Sequence, residues 1–162
     1  MKKFRKGFTL LELLVVIGVM GILSSTAMIA GQQATDGARA TTIAEGLEKA
    51  ASAMMMYYAD NAKEIAVNGA EVADVVAGAN AYLKTADALV AEEDAAEGNY
   101  SIAIVGDAPN QTWWIVYTLP NTDVPGVANI LKNKVTRMGL KASAAANATD
   151  YAGAATVAMK VR

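Results

Sequence analysis

The sequence predicts an α+β protein: a long N-terminal helix packed on a small antiparallel sheet, with short extra helices between them. Three patterns carry that prediction. From Phe8 to Gly31 the chain is apolar apart from one charge, Glu12. Further on, Ile43, Leu47, Ala51, Met54 and Tyr58 recur at helical spacing and make one apolar stripe. After Asn99 the period shortens to two, with Tyr100, Ile102 and Ile104 alternating with Ser101 and Ala103.

The first pattern has the dimensions of a membrane span. A helix rises about 1.5 Å per residue, so roughly 20 apolar residues cross the hydrocarbon core of a bilayer. Leu13 to Gly31 carries no charge at all. Ahead of the run lie Lys2, Lys3, Arg5 and Lys6, which hold that end in the cytoplasm by the positive-inside rule. The chain therefore divides into a leader (1–7), an apolar helix (8–31) and a globular head (32–162) that includes the amphipathic half of the long helix. Glu12 is the anomaly, since a lone charge in such a span costs on the order of 2.5–3.5 kcal/mol and usually marks function. No Lys or Arg follows within the span to pair with it. Cleavage after Gly7 would create an α-amine on Phe8, and that amine could meet its own Glu12 or the Glu12 of a neighbouring copy.

The run Lys6-Gly7-Phe8-Thr9-Leu10-Leu11-Glu12 resembles the N-terminus of the type IV pilin family. The six-residue basic stretch before Gly7 is similar to that of the type IVa subgroup. The resemblance covers only Met1 to about Gly31. It implies that prepilin peptidase removes residues 1–7 by cutting between Gly7 and Phe8, and that Phe8 is then N-methylated. It further implies that Glu12 and Phe8 serve assembly, and that residues 8–31 form the membrane helix of the precursor and later the filament core. The plainer reading is an ordinary anchor or an uncleaved signal sequence. A secretory signal, however, places its small-residue cleavage site after the apolar region, whereas the Gly7-Phe8 junction precedes it.

Composition narrows the function. Removing the leader takes four of the 14 Lys and Arg, leaving 10 against 16 Asp and Glu, a balance of −6. Such a surface argues against nucleic acid as a main partner, because bulk binding depends on cations that displace counterions. The chain has no Cys, so the C-terminal region, which many pilins close with a disulfide, has to be fastened by packing. His is absent as well, and with it Ser-His-Asp and Cys-His catalysis. No catalytic residues, metal site or cofactor are assigned, and the chain is not read as an enzyme.

The long helix is expected to run from Phe8 to about Asn61, roughly 80 Å. Gly18, Gly21 and Gly31 allow close approach of neighbouring helices. Pilins of this group often carry a proline near the end of the buried segment; here Ile29 stands in that region, which leaves Gly31 as the weaker point. Met54 to Tyr58 is read as the seam between helix and head. The alanine-rich stretch that follows predicts two helices, Ala70 to Lys84 and Thr85 to Glu97, after a turn at Asn68-Gly69. Glu92, Glu93, Asp94 and Glu97 invite a calcium reading, but four acids on one helix are more simply a solvated face.

Two strands follow, Tyr100 to Ile104 and Thr112 to Leu119, joined by a turn that contains Pro109. The adjacent Trp113 and Trp114 must point to opposite sheet faces, one into the core and the other half-exposed or under a loop. Asp123 to Met138 predicts a short helix with Asp123 as N-cap and Pro125 in its first turn. Lys132, Lys134, Arg137 and Lys141 form a cationic cluster suited to DNA or, more simply, to an acidic region of a neighbouring subunit. A surface loop from Lys141 to Gly153 then leads to a closing strand from Thr156 to Val161.

Taken with the resemblance, these features imply a pilin that polymerises with itself into a type IV pilus, with family roles in adhesion, twitching motility or DNA uptake. The partners implied are prepilin peptidase, the assembly machinery of the inner membrane, and the membrane itself before assembly. The precursor would sit in the inner membrane as a single-pass protein and the filament on the cell surface. A type II secretion pseudopilin or a minor, tip-located pilin carries the same N-terminus.

Overall fold

A computed structural model describes residues 8–83, 88–145 and 148–162. One helix dominates it, α1, Leu10–Asn68. Further elements follow in the order α2 (Val72–Asn80), β1 (Leu89–Ala91), β2 (Tyr100–Val105), β3 (Thr112–Thr118), α3 (Gly126–Lys132), α4 (Val135–Met138), β4 (Leu140–Lys141) and β5 (Thr156–Lys160). Two units divide the chain, one reaching Thr35 and the other spanning Asp36–Arg162. Each contains part of α1.

In the second unit α1 ends two turns later than the apolar stripe suggests. Its stop is Gly69, whose φ of 78° is the left-handed conformation that closes helices, with Gly69 N–H donating to Ile65 O at 2.9 Å. The Gln111 side chain clamps the next residue, accepting from Ala70 N–H at 2.7 Å and donating to Ala70 O at 3.2 Å.

The sheet has the order β1-β2-β3-β5-β4. It is mixed rather than antiparallel, because β1 runs parallel to β2 with Leu89 opposite Tyr100. The other neighbours are antiparallel, with Ile102 opposite Ile115, Ile115 opposite Met159, and Leu140 opposite Met159. The parallel strand also corrects the helix expected over Thr85 to Glu97. Of that stretch, Thr85 to Asp87 lie outside the described residues; Leu89–Ala91 is strand and Glu92–Asp94 a single 3-10 turn. Pairing with β2 overrides the helical preference of the alanines, as tertiary context commonly does. The Asn80 side chain seals the outer edge of β1, donating to Leu89 O at 2.9 Å and accepting from Leu89 N–H at 2.7 Å.

Ile43, Leu47 and Met54 of α1 are buried against Ile102, Trp113, Ile115 and Val157. Tyr58 meets Trp113 edge-on at 5.6 Å between ring centroids, and Arg162 lies 4.2 Å over the Tyr58 ring. Small residues set how closely the layers approach. At Gly46 an added Cβ would lie 2.0 Å from Tyr100 Oη, and at Gly78 it would lie 2.1 Å from the Tyr57 ring. The opposite sheet face is also covered: Ala103, Trp114, Val116 and Ala158 are buried there, with Ala144 and Ala148 packed on them. The two tryptophans thus divide between the faces as expected, and the covering over Trp114 includes Ala144 and Ala148.

The expected helix from Asp123 is broken. Asn121–Asp123 form a 3-10 turn and α3 starts only at Gly126, after Pro125. Asp123 does not cap it. Its buried carboxylate is instead held by Arg39 of α1, an attraction across the head that outcompetes a local bond. The C-terminal region is fastened without a disulfide. Tyr151 is buried, with its backbone N–H donating to Leu140 O at 3.1 Å and its hydroxyl to Ala154 O at 2.7 Å.

Candidate functional site

The first unit puts the expected site residues on the opening turn of α1. Phe8 is exposed, and Gly7 with the rest of the leader lies outside the described residues. Thr9 and Glu12 cap each other. Thr9 N–H and Thr9 Oγ1 both donate to Glu12 Oε2 at 3.0 Å, while Glu12 N–H donates to Thr9 Oγ1 at 3.2 Å. This is a capping box, which satisfies amides that the first turn of a helix leaves unpaired. Thr9 thus gives Glu12 neutral hydrogen-bond donors in its own turn, beside the charged partner that a Phe8 amine would offer. The signal was present in the sequence, since Thr9-Leu10-Leu11-Glu12 has the Thr-x-x-Glu spacing. The carboxylate is not exhausted by it: Oε1 accepts no hydrogen bond from a described residue.

From Leu10 onward the unit presents apolar surface in every direction. Leu13, Leu14, Ile17, Ile22 and Leu23 are all exposed, and the helix is long and apolar enough to cross a membrane. Two of its hydroxyls turn inward on the backbone, Ser25 Oγ donating to Ile22 O at 2.8 Å and Thr26 Oγ1 to Leu23 O at 2.9 Å. They therefore do not interrupt the apolar face. Gly18, Gly21 and Gly31 are open, with nothing in the structure near the side chain each lacks.

Residues 2–28 match the family model of the prokaryotic N-terminal methylation motif. The chain carries the prepilin-type signature. This methylation motif, the cleavage and methylation signal of type IV pilins and pseudopilins, includes Gly7, Phe8 and Glu12 within its span. No curated protein and no solved structure matches the chain. The motif points to a structural subunit, processed by prepilin peptidase and assembled into filaments, rather than to an enzyme.

The other candidates are in the second unit. Lys132, Lys134 and Arg137 stand together on the α3–α4 segment, but Lys141 leaves the cluster to pair with Asp150 at 2.6 Å. Both tryptophans are buried, so neither offers a binding surface. Glu92, Glu93 and Asp94 are exposed on their 3-10 turn, and Glu97 accepts from Asn121 Nδ2 at 2.9 Å. Among the described residues no group of three or more acids comes together in a form that could hold a metal ion.

Proposed function

We propose that the mature chain is a structural subunit of a type IV pilus, anchored in the inner membrane as a precursor and carried to the cell surface by polymerisation. One observation carries this reading: the methylation motif sits on a helix whose apolar side chains have no cover in their own unit. Exposed apolar area is worth roughly 25 cal/mol per Å² when removed from water. Lipid supplies that cover before assembly, and the helices of neighbouring copies supply it afterwards. Cleavage between Gly7 and Phe8 by prepilin peptidase frees an amine, which is then methylated. That amine pairs with Oε1 of Glu12 on an adjacent copy, while Oε2 continues to cap α1. Removing one partner of a buried pair costs about 3–5 kcal/mol.

The test combines mass and assembly in one strain. Intact mass of surface-sheared protein is expected to lack Met1 to Gly7 and to carry one extra methyl, and Glu12→Gln is expected to be processed yet to leave the sheared fraction. A retained leader on assembled protein, or wild-type yields of filament from Glu12→Gln, would overturn the reading. A type II secretion pseudopilin shares the motif and differs in outcome, since it would not dominate sheared surface filaments.

A further inference from the structure

An open groove of about 800 Å³ runs between the outer face of α1 and the α4–β5 edge of the head. Its floor is methionine: Met55, Met56, Met138 and Met159 all line it, and the first two are about half exposed. Unbranched thioethers adapt to a partner's shape, so methionine-rich grooves suit docking. Two cations rim the groove, Arg137 and Lys160, with Lys134 beside Arg137 in the adjoining cleft. Glu48, on the α1 wall, is the one acid among the described residues lining it. Arg137 and Lys160 form no ion pair among the described residues.

The strand order gives this groove a counterpart. Its sheet wall is the end of β5, three strands away from β1 in the order, whereas the 3-10 turn Glu92–Asp94 directly follows β1, an edge strand. Glu92, Glu93 and Asp94 are exposed and also form no ion pair among the described residues. One head therefore presents a cation-rimmed groove beside β5 and an exposed acidic turn beyond β1. Such complementary, non-identical patches on one subunit make a heterologous contact, which repeats from copy to copy and generates a ring or an open helical polymer.

We infer that the methionine groove receives the Glu92–Asp94 turn of a second copy, so that neighbouring heads join in the assembled filament. This rests on the filament reading above and adds to it a contact outside the apolar helix. The carboxylates meet Arg137 and Lys160 at the rim, and the methionines close over the backbone of the turn. Charge complementarity of this kind chiefly sets register and partner choice, and it weakens with salt.

Because the chain has no Cys, a disulfide can be placed with no background. Ser52 lines the groove and Ala95 follows the turn, and both are exposed. Full-length S52C/A95C is oxidised in cells and resolved on non-reducing gels. The expected result is a ladder of dimer, trimer and higher species, with each single variant giving at most a dimer. Arg137→Glu with Lys160→Glu in that background should cut the ladder about fivefold, as for exposed ion pairs, and adding Glu92→Lys with Glu93→Lys should restore it. Filaments without a ladder would overturn the groove contact and leave the filament reading standing. A ladder without filaments would keep the contact and overturn that reading, and the absence of both would overturn both. A ladder indifferent to the charge swap would overturn the assignment of Arg137 and Lys160.

Discussion

The two parts of α1 are built from similar residues and used in opposite ways. Between Phe8 and Ile29, large apolar side chains are exposed in succession, whereas between Ala40 and Met54 the apolar residues Ala40, Ile43, Leu47, Ala50 and Met54 are buried. What separates them is the residues in between. Glu45, Glu48 and Lys49 give the later part a polar side, so one stripe can be buried and the other solvated. The earlier part has no polar side and needs apolar surroundings all round. A helix can thus be complete in its hydrogen bonds and still be unfinished in its packing, and the unfinished part is the one that carries the motif.

The contrast can be broken most severely in the core. Trp113→Ala should cost about 3–5 kcal/mol and lower the melting temperature of the full chain in detergent, because Trp113 is fully buried against Tyr57 and Tyr58. Leu14→Ala removes an exposed side chain and should leave that temperature unchanged. The glycines give a second, smaller comparison. Gly78→Ala drives a methyl into the Tyr57 ring and should destabilise by about 1–3 kcal/mol. Gly21→Ala meets open space in a helix and should stabilise the segment by about 0.5–1 kcal/mol, seen as slower amide exchange around residue 21.

The cap is of the same order as the Gly21 change. Thr9→Ala should cost about 1 kcal/mol, visible as faster exchange in the first turn of α1 with the melting of the head unaffected. Least of all is Lys141→Ala, whose exposed pairing with Asp150 is worth at most about 1 kcal/mol. A loss larger than that for Thr9 would mean that Ala144 and Ala148 depend on this pair to stay packed on the Trp114 cluster.

Local pattern announced the parts of this molecule that depend on neighbours in the chain. The apolar run, the stripe from Ile43 to Met54 and the hairpin β2–β3 follow from period and length alone. The motif residues were readable because the Glu12 charge is conspicuous in its setting, and the Thr9 cap could have been read from the same four residues. What was not readable depends on distant partners. Leu89–Ala91 is too short for a period to show, and it becomes a strand only beside Tyr100 to Ile102. Asp123 has the right chemistry for a cap, yet Arg39, far away in sequence, claims it. The groove was equally hidden, since Met55 and Met159 share it only once β5 lies along α1. Spacing in the sequence groups Lys141, which spends its charge on Asp150, with the cationic cluster and leaves out Lys160, which lines the groove.

The bond pair from Asn80 to Leu89 has a consequence for misassembly. An uncovered strand offers its amides to any other extended chain, and crowded copies of one sequence are the readiest source of such chains. The carboxamide of Asn80 has the same donor and acceptor as a peptide group and occupies both sites of Leu89. One side chain thus imitates the next strand at the start of β1 and withholds that position from a stranger. Replacing it with Leu would keep the bulk and free those two groups for other backbone partners, turning the chain towards amorphous or fibrillar aggregate.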